Sequence, residues 1–127
     1  INNHATALLK ILIPQLQAAD FSVAPLCIVQ QARVALGDEA AFLLKAAVSI
    51  VLIGERPGLS SPDSMGAYLT YQPAIGLTDE SRNCVSNIRA EGLSYADAAA
   101  KIFYLVTEAF RLQYSGVKLK DNTGLLE

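Results

Sequence analysis

Of 127 residues, 52% are hydrophobic and 17% charged, enough apolar mass for one packed domain and too much for a disordered chain. Ten basic residues against twelve acidic ones leave a net charge of −2 with no basic stripe, which argues against nucleic-acid binding. Two cysteines and a single histidine argue against a disulfide framework and a histidine-based metal site, and no apolar run reaches the roughly 20 residues of a membrane span. The low cysteine usage suits an intracellular chain. The apolar balance suggests that a partner covers part of the surface.

The chain enters a helical pattern almost at Ile1, which reads as the C-terminal piece of a longer protein; Leu126-Glu127 is set aside as vector-derived. Asn3 is the expected N-cap. Ala5, Leu8, Leu9, Leu12 and Leu16 recur at helical spacing, with Pro14 expected to kink or shorten the helix. Leu26-Cys27-Ile28-Val29 reads as a short strand with Cys27 in the core. Gly37-Asp38-Glu39 opens a second predicted helix, with Ala40, Leu43, Leu44 and Ala47 on one face. Residues 48–53 are apolar except for Ser49, the pattern of a strand covered on both faces, and this points to a parallel sheet. Residues 67–71 and 84–86 are the third and fourth strand candidates. Ser94, with Asp97 three residues later, caps the last helix; its stripe runs Ala98, Ala99, Ile102, Phe103, Val106, Ala109 and Phe110, and Gly116 is expected to end it. Alternating strands and helices predict a Rossmann-like, doubly wound, three-layer α/β fold with a mostly parallel sheet, as one domain over residues 1–125.

In such a sheet, ligands sit beyond the carboxyl ends of the strands. The run 48–53 breaks there into Gly54-Glu55-Arg56-Pro57-Gly58, followed by a helix start at Ser61-Pro62. Arg56 supplies a charged donor for an anion, and an ionised Glu55 accepts from amides or hydroxyls, a pairing that suits an amide-rich ligand with one phosphate; the alternative is a solvated loop pair. The turn Arg33-Val34-Ala35-Leu36-Gly37 falls on the same predicted edge. No dinucleotide fingerprint or phosphate loop is present. Cys84 lies in a polar run flanked by Arg82 and Arg89. A small packed residue is the better reading than a hydrolytic nucleophile, because His4 is the only histidine and reads as a surface residue.

Four stretches in order, Gln31-Ala32-Arg33-Val34-Ala35-Leu36-Gly37-Asp38-Glu39, Ile53-Gly54-Glu55-Arg56-Pro57-Gly58-Leu59-Ser60-Ser61-Pro62-Asp63-Ser64, Arg82-Asn83-Cys84-Val85-Ser86-Asn87-Ile88-Arg89 and Glu91-Gly92-Leu93-Ser94-Tyr95, resemble the small (light) subunit of ethanolamine ammonia-lyase. The similarity runs from Asn2 through Lys120 and corresponds to the C-terminal part of that subunit. It implies a bacterial adenosylcobalamin-dependent lyase that converts ethanolamine to acetaldehyde and ammonia. In that family a barrel-shaped large subunit binds ethanolamine, and the small subunit helps clasp cobalamin at the interface between subunits. The family's cobalamin contacts carry over to Val34, Glu55 and Cys84, with Arg56 beside them. The resemblance also implies a cytoplasmic, microcompartment-associated hetero-oligomer, and an isolated chain that is inactive. The competing expectation is a stand-alone Rossmann-like module that binds a small molecule on the same edge.

Overall fold

The structure, a computed structural model, describes residues 2–23, 34–55 and 64–116. Helix α1 (Asn2–Ala18) leads to α2 (Val34–Leu43), strands β1 (Val48–Glu55) and β2 (Ser64–Tyr71), a 3-10 turn at Asp79–Ser81, β3 (Arg82–Ile88) and α3 (Tyr95–Leu112). The strand read at residues 26–29 and the helix start at residues 61–62 lie outside the described residues.

The three strands form one antiparallel sheet in the order β1-β2-β3, so the expected Rossmann-like, mostly parallel sheet is wrong. The β1–β2 ladder runs unbroken from Val48 opposite Tyr71 to Glu55 opposite Ser64. The misreading has a physical cause. A continuous apolar run reports burial on both faces, and strand direction leaves no mark in it. Here β1 is covered on both sides within an antiparallel sheet. Met65, Ala67 and Leu69 of β2 face α1 and α3, with Val48, Ile50 and Leu52 of β1 packed against the same core. The alternate residue Val51 meets α2, where Gly37 comes so close that an added Cβ would collide with its side chain.

In α1, Leu8, Leu12 and Leu16 are buried at four-residue intervals against α3, as their spacing predicts. The helix already runs through Asn3, so the expected cap lies inside it, and it continues past Pro14. Pro14 and Lys10 are both exposed, so water can reach the carbonyl that the proline leaves without a donor. The helix closes with Asp20 at φ 67°, as Phe21 N–H donates to the Leu16 carbonyl (3.0 Å) and Asp20 N–H to that of Gln17 (3.0 Å). Helix α2 repeats this ending at Lys45 (φ 57°), with Ala46 N–H donating to the Ala41 carbonyl at 2.9 Å.

Helix α3 follows its sequence signals most closely. Ser94 Oγ accepts from the Asp97 amide at 3.1 Å, and Ala98, Ala99, Ile102, Val106 and Ala109 are buried, joined by Leu105, whereas of the expected stripe Phe103 is half-buried and Phe110 exposed. The helix stops at Gln113 (φ 61°), ahead of Gly116. Gly116 instead permits a close approach, because at φ 93° its Cα lies against the Glu80 carbonyl and leaves no room for a Cβ.

Candidate functional site

Helix α2 starts at Val34, three residues before its expected start, and turns a different face to the sheet than the sequence suggested. Asp38 and Ala41 are buried, whereas Leu43 and Leu44 are exposed. Asp38 can be buried because Arg82, the first residue of β3, donates from Nη1 to its Oδ2 at 2.6 Å. The same guanidinium donates from Nε to Asp79 Oδ1 at 3.2 Å and from Nη2 to the Leu77 carbonyl at 3.0 Å. Burial works against the arginine's charge, but these hydrogen bonds and the two carboxylate charges outweigh it and raise its pKa above the ordinary value. Arg82 lies in one cross-strand row with Thr70 and Ser49, beneath α2. Asp38 Oδ1, Ser49 Oγ and Thr70 Oγ1 are buried there without a protein hydrogen-bond partner.

The next row on this side of the sheet joins Val51, Tyr68 and Cys84. Cys84 is exposed and Tyr68 half-buried, so the α2-side face opens to the surface beyond the Arg82 row. An extra residue then bulges β3: Met65 pairs with Ile88 and Ala67 with Val85, and Asn87 takes φ 57°. Beyond it, Arg89 is drawn to Glu91 (3.5 Å) and Asn87 (3.3 Å). The two arginines expected to flank the thiol are thus both engaged with other groups.

The expected site residues are distributed as follows. Val34 is the half-buried first residue of α2, which packs on β1. Glu55 is the last residue of β1, with its Cα paired to Ser64, and Cys84 sits mid-strand in β3. Arg56 lies outside the described residues. In the antiparallel sheet these positions no longer share a carboxyl edge. What connects two of them is the packing of α2 across the face that carries Cys84.

Residues 1–120 match the family described as ethanolamine ammonia-lyase light chain (EutC). The chain belongs to that light-chain family. It is 55% identical over 121 residues to the ethanolamine ammonia-lyase small subunit of Azotobacter vinelandii, covering 95% of this chain and 45% of the relative. The corresponding subunits of Xanthomonas campestris pv. campestris (strain B100) and Pseudomonas fluorescens (strain Pf0-1) are 56% and 54% identical, each with 95% of this chain and 44% of the relative covered. The chain therefore spans a little under half the length of these curated relatives.

This light-chain family member does not bring a base to its exposed thiol through its histidine. His4 Nδ1 is 2.7 Å from Tyr95 Oη at the contact of α1 with α3, across the sheet from the Cys84 row. Among the described residues there is no cluster of three metal-binding side chains, and no helix long and apolar enough to cross a membrane. The Asp38–Arg82 pair went unread because its partners are 44 residues apart. The one available signal was an acid in a helix otherwise rich in apolar residues.

Proposed function

We propose that this chain is the cofactor-clasping part of the small subunit of an adenosylcobalamin-dependent ethanolamine ammonia-lyase, the enzyme that converts ethanolamine to acetaldehyde and ammonia. The observation that carries the proposal is the family match over residues 1–120. The α2-side face fits such a cofactor: a broad macrocycle edged with amides needs a wide surface of small side chains with polar neighbours. The exposed Cys84 and Ser86 supply the first, and half-buried Tyr68 and exposed Asn87 stand near them.

In this reading residues 1–125 act as one cobalamin-binding unit. Val34 makes an apolar contact at the start of α2, and Cys84 gives a small, close contact on β3. Glu55 accepts hydrogen bonds from amide or hydroxyl groups, and Arg56 adds a donor for the phosphate. Adenosylcobalamin, when bound, supplies radical chemistry by homolysis of its Co–C bond; the chain supplies binding and orientation. A large subunit binds ethanolamine and completes the site, in the cytoplasm and within an ethanolamine-use microcompartment. The isolated chain accordingly releases no ammonia from ethanolamine.

The test is co-expression of the complete small subunit with the large subunit, followed by purification in the presence of cobalamin. Retention of a shifted corrin spectrum through purification is the expected result, with weaker retention for Glu55→Ala and Cys84→Ala in complexes that still assemble. Undiminished retention in both variants would refute the assignment of this wall.

A further inference from the structure

We infer that Asp38 and Arg82 are positioning residues for the cofactor wall, their buried ion pair fixing the start of α2 against β3. The inference rests on the cobalamin reading above and adds to it the device that sets the spacing between Val34 and Cys84. Asp38 follows Val34 by four residues, so the two lie on one side of α2, roughly 6 Å apart along its axis. Arg82 precedes Cys84 by two residues, so these share a face of β3, roughly 7 Å apart. The 2.6 Å contact between Asp38 and Arg82 is therefore one structural step from each proposed contact.

Little else among the described residues anchors α2. Its apolar side chains Leu36, Phe42 and Leu43 are exposed, and apart from Asp38 only Ala41 is buried among its described side chains. Gly37 against Val51 lets the helix lie close to β1 but reaches only that strand. Arg82 ties α2 to β3. Its Nε, Nη1 and Nη2 each donate within the chain, to the 3-10 turn, to α2 and to the Leu77 carbonyl, so the guanidinium is held from several sides. Side-chain exposures of 4% and 2% keep both partners away from solvent and from any ligand on the open part of the face. A buried ion pair is a poor source of net stability, and Asp38 Oδ1 and the two neighbouring hydroxyls of Ser49 and Thr70 lack protein partners. Fixed geometry is what such a cluster provides.

The test uses the assembled enzyme, made from the complete small subunit and the large subunit. Arg82→Met and the double variant Asp38→Leu/Arg82→Met are compared with wild type for adenosylcobalamin affinity, corrin spectrum and the ethanolamine KM at saturating cofactor. The double variant removes the pair without leaving a lone buried charge, so it carries the test where Arg82→Met gives no complex. Displacement of one wall by about 1 Å is expected to weaken cobalamin binding about tenfold or more while the ethanolamine KM stays unchanged. A purely structural role would lower complex yield and leave the affinity of assembled enzyme at the wild-type value, and that result overturns the inference. Glu55→Ala and Cys84→Ala run in parallel separate the two readings: if they weaken binding and the pair variants do not, the wall stands and the positioning role falls. If neither weakens binding, the cofactor wall itself is wrong.

Discussion

Replacing Gly116 by alanine tests how the end of the described chain is fastened to the sheet. Gly116 sits at φ 93°, where an added Cβ would strike the backbone of Glu80 and Ser81. Its N–H donates to Asn83 Oδ1 at 2.6 Å and its carbonyl accepts from Asn83 Nδ2 at 3.2 Å. The preceding Ser115 Oγ accepts from the Tyr71 amide at 2.7 Å and donates to the Ser81 carbonyl at 2.6 Å. The positive φ costs an alanine about 1–2 kcal/mol. The clash is with main chain, which cannot rotate away, so relief requires moving residue 116 and loosening two hydrogen bonds of about 1 kcal/mol each. Gly116→Ala should therefore destabilise by about 3–4 kcal/mol, roughly 10–20 °C in Tm for a chain of this size. Gly76 provides the control, since it has φ 94° with nothing within 4 Å of an added Cβ. Gly76→Ala should cost only the conformational part, about 1–2 kcal/mol. Thermal unfolding followed by circular dichroism measures both. Equal shifts in the two variants would show that the close approach to Glu80 contributes nothing, and the reasoning would fail.

Ile102, at 1% exposure in the centre of the α3 stripe, should cost about 2–5 kcal/mol on truncation to alanine, read as a lower denaturant midpoint with unchanged slope. Ser94→Ala removes the acceptor for the Asp97 amide and should cost about 1 kcal/mol, with Ser94→Asp recovering most of it. The hydrogen bonds from Arg111, reinforced by its charge, hold the Glu108 carboxyl below its ordinary value of 4.5. A carboxyl depressed in the folded state stabilises above its unfolded value and stops doing so as pH falls through the folded one. Glu108→Gln should therefore lower stability slightly at neutral pH and leave it unchanged in strong acid, with salt narrowing the difference; a loss that persists in strong acid would contradict the ion-pair account.

Several features were legible because their causes are local. The Ser94–Asp97 cap and the buried stripe of α3 depend on spacing within one helix, and all three described strands overlap the runs expected at residues 48–53, 67–71 and 84–86. Helix ends were less legible. Asp20, Lys45 and Gln113 occupy the left-handed position that glycine usually fills, because the closing hydrogen bonds and the packing of the following chain outweigh a modest conformational penalty. Of the candidate site the sequence offers residues and no arrangement. Val34, Glu55 and Cys84 stood out by pattern and resemblance, yet the carboxyl edge invoked to unite them belongs to a parallel sheet that the chain does not form.

Among the described residues, the sequence by itself determined the three strands and the last helix, most of the residues that enter the α1–α3 core, and the light-chain family to which the chain belongs. Only the tertiary structure decided strand direction and which side of α2 faces inward. Direction is settled by which ladder of backbone hydrogen bonds closes, and those groups are the same in every residue. The face of α2 was settled by Arg82: a carboxylate enters the interior only where an opposite charge awaits it, and here that charge comes from 44 residues away.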